Sequence, residues 1–183
     1  MALTSTLLRL TLELSDVDRG AYETLELRIA QHPSEEPERV VLRLLARALL
    51  HEEGLAFGRG LSTTDEPALW LHDPTGEVTL WVEVGKPSAE RLHRASKHAP
   101  RVAVLTDRDR ALLRDTWGGV AIHRAEALEL LLVAPDFVQQ VAGRLVRSNT
   151  WTLTVVEGVL TLIDGDEVLT GALERTTLAR LLA

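Results

Sequence analysis

In the stretch TLWVEVGKP, Thr79 to Pro87, one carboxylate sits on an otherwise apolar strand pattern. Leu80, Val82 and Val84 alternate with Thr79, Trp81 and Glu83, so Glu83 shares a face with Trp81 and is followed at once by Gly85 and Lys86. Two further acids fall at distinctive places upstream: Asp65, just ahead of the run ALWLHD, and Glu38, inside an amphipathic segment. Sequential strands are usually neighbours in a sheet, so Asp65 and Glu83 are expected to converge on one edge. Two carboxylates at close range repel unless a cation lies between them, and hard oxygen ligands suit magnesium or manganese.

Each of these residues also has a purely structural reading. Asp65 fits a turn residue or a helix cap ahead of EPALW. Glu38 lies in an acid-rich first turn with Glu35 and Glu36, where carboxylates favour the helix dipole. Lys86 fits a solvated strand end, and Trp70 and Trp81, on adjacent strands, fit a packed core pair. Other chemistries find no motif. The histidines at 32, 51, 72, 93, 98 and 123 form no HExxH pair, and there is no GxxxxGK phosphate loop or GxSxG nucleophile elbow.

The elements that must position these acids follow from hydrophobic period. Leu8, Leu10, Leu12 and Leu14 alternate with polar residues, as do Leu25, Leu27 and Ile29, and DVDRGA between them supplies turn residues, which predicts an N-terminal hairpin. HPSEEPERVVLRLLARALLHEEG carries Pro37 in its first turn and apolar residues at helical spacing, with Gly54 as the stop. LAFGRGLS, ALWLHD and EVTLWVEVG then read as three successive strands, the last two joined by a turn at Asp73-Pro74-Thr75-Gly76. PSAERLHRASKHAP is a short amphipathic helix, RVAVLTD a strand covered on both faces, and RDRALLRDTWGG a short helix. VAIHRAEALELLLV fits strand or helix, APDFVQQVAGRLVRS is helical, and TWTLTVVEGVLTLIDGDEVLTGAL predicts hairpin strands around Glu157-Gly158 and Asp164-Gly165. The expected fold class is α/β or α+β: one domain over residues 1–183, a central mixed β-sheet flanked by helices, with a core at about 35–107.

Composition narrows the field. A chain of 183 residues with 45% apolar and 26% charged residues has ordinary globular proportions. No apolar run approaches the roughly 18 to 20 residues that span a bilayer, and Arg9 and Glu13 interrupt the first segment, so neither leader nor anchor is expected. With no cysteine there is no thiolate chemistry or disulfide, which fits a cytoplasmic protein. The formal charge of −7 argues against indiscriminate polyanion binding while leaving room for a local basic groove. Lys86 and Lys97 are the two lysines among 20 cationic residues, and both follow Glu83 closely.

From about Glu35 to Asp107 the order helix, three strands, helix, strand, with acids at Glu38, Asp65 and Glu83, resembles the PD-(D/E)XK nuclease superfamily, the restriction-endonuclease-like fold. The resemblance implies that Asp65 and Glu83 ligate a divalent metal, that Lys86 positions the attacking water, and that Glu38 assists from the helix. Glu83 and Lys86 are three residues apart where that motif spaces them by two, and a bulge at Gly85 would restore their convergence. Arg94 and Lys97 are alternative cations from the next helix. Asp65 follows Thr64 where the motif has proline.

HPSEEPERVVLRLLA, RGL with DEPALWL, and LWVEVGKPSAERLHRA, in that order, also resemble the YaeQ family of bacterial proteins over essentially the whole chain. The biochemical role of that family is unsettled; the nuclease resemblance implies a metal-dependent phosphodiesterase acting on DNA or RNA, for which Arg39, Arg59, Arg91 and Arg94 are the nearest cationic candidates by sequence. The alternative the two resemblances leave open is a non-catalytic protein that keeps the scaffold and binds another protein.

Overall fold

The leucines that alternate at the start of the chain line one face of a long strand, and the turn residues after them return the chain antiparallel. A computed structural model describes residues 4–61 and 63–183. Met1–Leu3, and Ser62 at the end of the expected strand LAFGRGLS, lie outside the described residues. The first hairpin is β1 (Thr6–Asp16) and β2 (Ala21–Gln31), with Leu8, Leu10, Leu12 and Leu14 all buried. Next come α1 (Pro37–Leu49), β3 (Ala56–Phe57), β4 (Leu69–His72), β5 (Val78–Val84), α2 (Ala89–His98) and β6 (Arg101–Thr106). The chain finishes with α3 (Arg110–Trp117), β7 (Glu129–Val133), α4 (Pro135–Ala142), β8 (Ser148–Val156), β9 (Val159–Asp164), β10 (Glu167–Thr177) and α5 (Leu178–Leu182).

The strands join in one mixed sheet of order β2-β1-β8-β9-β10-β7-β6-β5-β4-β3. β3, β4 and β5 form an antiparallel meander; α2 then crosses to β6, which runs parallel to β5, and β6 runs parallel to β7. Alternation along β5 and β6 splits the core in two. Leu80, Val82, Val84, Ala103 and Leu105 join α1, α4 and the leucines of β1 and β2 in one cluster. Trp81, Val102 and Val104 join α2, α3 and α5 in a second, on the opposite face. Helices α1 and α2 therefore cover opposite faces of the meander.

β10 links the halves. Its residues 167–172 pair with β9 and its residues 173–177 with β7. At the changeover a Cβ on Gly171 would lie 2.4 Å from Cβ of Phe137, so α4 packs directly on backbone there.

The structure departs from the sequence expectation in five places. α1 stops at Leu49, short of Gly54, where Leu50 stays buried but leaves helical geometry at φ −110 and ψ 18. The ambiguous run 120–133 resolves into turns followed by β7 alone, and α4 ends at Ala142 ahead of Gly143, so RLVRS lies outside it. α5, absent from the expectation, caps the outer cluster with Leu178 and Leu181. Glu35, read as a helix-dipole acid, is 4% exposed and accepts from Arg43 at 3.0 and 3.1 Å and from Arg39 at 2.6 Å.

Gly171→Ala is expected to destabilise the protein by about 1 to 3 kcal/mol through overpacking against Phe137. Urea unfolding measures it, and an unchanged midpoint would show that α4 yields freely.

Candidate functional site

Parallel strands β5 and β6 end side by side, with Glu83 opposite Val104 and Val84 opposite Leu105. Beyond them Gly85 adopts φ +78, a backbone region that favours glycine, while its amide donates to the Leu105 carbonyl at 2.9 Å. That turn ends the strand and leaves Lys86 exposed, and Ser88 then caps α2 by accepting from the Arg91 amide at 3.2 Å. The result is a cleft of about 480 Å³ at the carboxyl end of the strands. Arg39, Lys86, Arg91 and Arg108 line it with Glu66 and Glu83, so Glu83 and Lys86 do share a site.

Glu83 is 4% exposed and lies on the α2 face of the sheet. Its Oε1 accepts from Trp81 Nε1 and from Arg91 Nε, each at 2.7 Å. The Arg91 terminal nitrogens donate to the carbonyls of Thr64 and Glu66, so one guanidinium ties β5, α2 and the turn before β4 together. Burial pushes the Glu83 carboxyl above its ordinary range, and the Trp81 and Arg91 donors offset only part of that.

Asp65 does not join this group. It is exposed in the turn before β4 and lines a separate cleft of about 270 Å³ with Trp70, Trp81, Arg94 and His98; Arg91 borders both clefts. Glu38 faces a third cleft, of about 410 Å³, which adjoins the first through Arg39 and Arg108. Asp107 lines that third cleft and was not singled out in the sequence. One of its carboxylate oxygens is buried without a hydrogen-bond partner, with Arg108 Nε at 3.4 Å. The available signal was its place directly after RVAVLT, at the same end of the sheet as Glu83.

These residues, as arranged, do not fit a divalent ion held between Asp65 and Glu83. Among the described residues no three acidic or histidine side chains are grouped to hold a metal, and the buried Glu83 oxygen is already taken by two N–H donors. Also among the described residues, no helix is long and apolar enough to cross a membrane.

Comparison with known proteins places this architecture. A family model described as YaeQ protein matches residues 1–172. The chain belongs to the YaeQ family. It is similar to the crystal structure of YaeQ protein from Pseudomonas syringae, at TM-score 0.86 and 36% identity over 94% of this chain and 96% of that one. The YaeQ protein of Xanthomonas axonopodis pv. citri gives TM-score 0.87 and 30% identity over 94% and 98%. An uncharacterized YaeQ protein of Escherichia coli (strain K12) is 40% identical over 111 residues, and the match spans 61% of each chain.

A carboxyl whose folded pKa is raised holds more protons folded than unfolded, so stability falls as pH rises from the ordinary carboxylate range through the raised value. Glu83→Gln removes that ionisation. Urea midpoints from about pH 4 to about pH 8 are expected to decline less steeply for the variant than for the wild type. Parallel curves would mean that Glu83 ionises in the folded protein as an ordinary carboxyl.

Proposed function

We propose that this YaeQ-family chain binds phosphodiester ligands, nucleic acid in particular, in the cleft at the carboxyl end of β5 and β6, and works there as a binding scaffold with a restriction-endonuclease-like core. The supporting observation is the convergence of Arg39, Lys86, Arg91 and Arg108 on one cleft of an acidic protein. Lys86 is exposed and, among the described residues, has no hydrogen-bond or ion-pair partner, so its charge is available to a ligand. Crevices outside the carboxyl ends of parallel strands are where open α/β sheets bind ligands. The likeness to nucleases is supported by the meander, the α2 crossover to a parallel strand, and the placement of α1 and α2 on opposite faces.

Hydrolysis is the second reading; it would need Asp65 to leave its separate cleft and join Glu83 before the pair could hold magnesium or manganese, with Glu38 assisting and Lys86 positioning water. It is favoured by Glu83, a buried carboxyl with a raised pKa lining a ligand-sized cleft, since perturbed acids gather at functional sites. It requires Arg91 to leave Glu83. Calorimetric titration with manganese separates the readings: saturable binding lost in Glu83→Ala favours hydrolysis, and no binding favours the scaffold.

A labelled single-stranded oligonucleotide is expected to bind with strong salt dependence, because phosphate neutralisation releases counterions. Lys86→Ala is expected to weaken binding across sequences and to lower the salt slope by about one. Fluorescence anisotropy reads both. Binding that ignores salt would remove nucleic acid as the ligand.

A further inference from the structure

We infer that the pocket between β4, β5 and α2 receives one unstacked nucleobase of a single strand whose phosphates lie in the neighbouring cationic cleft; this rests on the nucleic-acid reading of that cleft. The register sets Trp70 directly opposite Trp81, with ring centroids 6.5 Å apart and planes at 85°. Trp81 also meets the His98 ring edge-on at 5.5 Å. Two flat walls at a right angle form a corner, and a planar ring pressed into it stacks on one wall while the other closes its edge. Such stacking tolerates any base, because every base has a π-face.

The pocket differs from a packed aromatic core. It has a volume of about 270 Å³; Trp81 is the buried floor, 9% exposed, while Trp70 is half-buried and His98 exposed, so the pocket opens past those two rings. The volume lies just under the range of about 300 to 1,000 Å³ typical of drug-sized ligands, which suits a single ring system. Trp81 is already fixed, since its indole N–H is donated to Glu83, and a fixed ring loses little freedom when a base stacks on it.

Polar groups at the rim define the ligand further. Asp65 and Arg94 are exposed, both line the pocket, and among the described residues neither has a hydrogen-bond or ion-pair partner. Together they offer a carboxylate acceptor and a guanidinium donor. Arg91 and Arg94 make the pocket a poor cage for an organic cation despite its two tryptophans. A nucleobase is flat and carries donors and acceptors on its edges, and guanine presents two adjacent N–H donors that one carboxylate accepts together. Arg91 borders both clefts, so a nucleotide with its base against Trp70 directs its phosphate toward Lys86 and Arg108. On α2 the lining residues Arg91, Arg94, Ala95 and His98 fall at i, i+3, i+4 and i+7, one stripe of the helix.

The test compares single-stranded oligonucleotides of equal length, one bearing guanines and one wholly abasic, by anisotropy on the full chain. The wild type is expected to bind the guanine strand roughly tenfold to a hundredfold more tightly than the abasic one. Trp70→Ala is expected to abolish that gap, and Trp70→Phe to restore much of it. Asp65→Asn, at an exposed position that tests the pocket without burdening folding, is expected to erase the preference for guanine over thymine strands. Equal affinity of wild type for base-bearing and abasic strands overturns the pocket while leaving the cationic cleft intact. Binding of neither strand overturns both.

Discussion

The Arg91 guanidinium is committed in three directions: Nε to the buried Glu83 carboxylate, and its terminal nitrogens to the carbonyls of Thr64 and Glu66. Hydrogen bonds to a charged donor are the stronger ones, and these three span a strand, a helix and a turn that are far apart in sequence. Arg91 offsets more of the cost of burying Glu83 than Arg39 does, and Glu83 in turn fixes the Arg91 side chain. The division of the surface into a cationic cleft and an aromatic pocket follows from where this one side chain stands.

Strand parity lies beneath that arrangement. Because successive residues of β5 point to opposite faces, Leu80, Val82 and Val84 are directed to α1, while Trp81 and Glu83 are placed together under α2. Two residues of spacing let the Trp81 indole donate to the Glu83 carboxylate. The same alternation in β6 feeds both cores at once, so neither helix layer packs independently of the other.

Much of this was legible in the sequence, because local pattern dictates local structure. The period-2 leucines, the Asp73 turn, the proline-started α1 and the serine-capped α2 all carry their own signals. Glu83 and Lys86 line one cleft, and Gly85 ends the strand in a turn of positive φ where their spacing suggested a bulge. What stayed hidden depends on partners distant in the chain. Nothing near Glu83 in sequence announces that an arginine one helix later will cover it, and Asp65 and Glu83 share neighbouring strands without sharing a cleft. The pairing of Glu35 with Arg43 was masked because the same residue type also suits a helix start. The role of β10 was invisible for a similar reason: a strand pattern reveals its alternation and not its neighbours.

β10 pairs with β9 along one half and β7 along the other, and β1 pairs along its free side with β8. During synthesis the first hairpin emerges well before residues 148–156, at a pace of about 5 to 20 residues per second. Until β8 arrives, β1 presents an unpaired strand edge bordered by leucines, the kind of surface that recruits other chains.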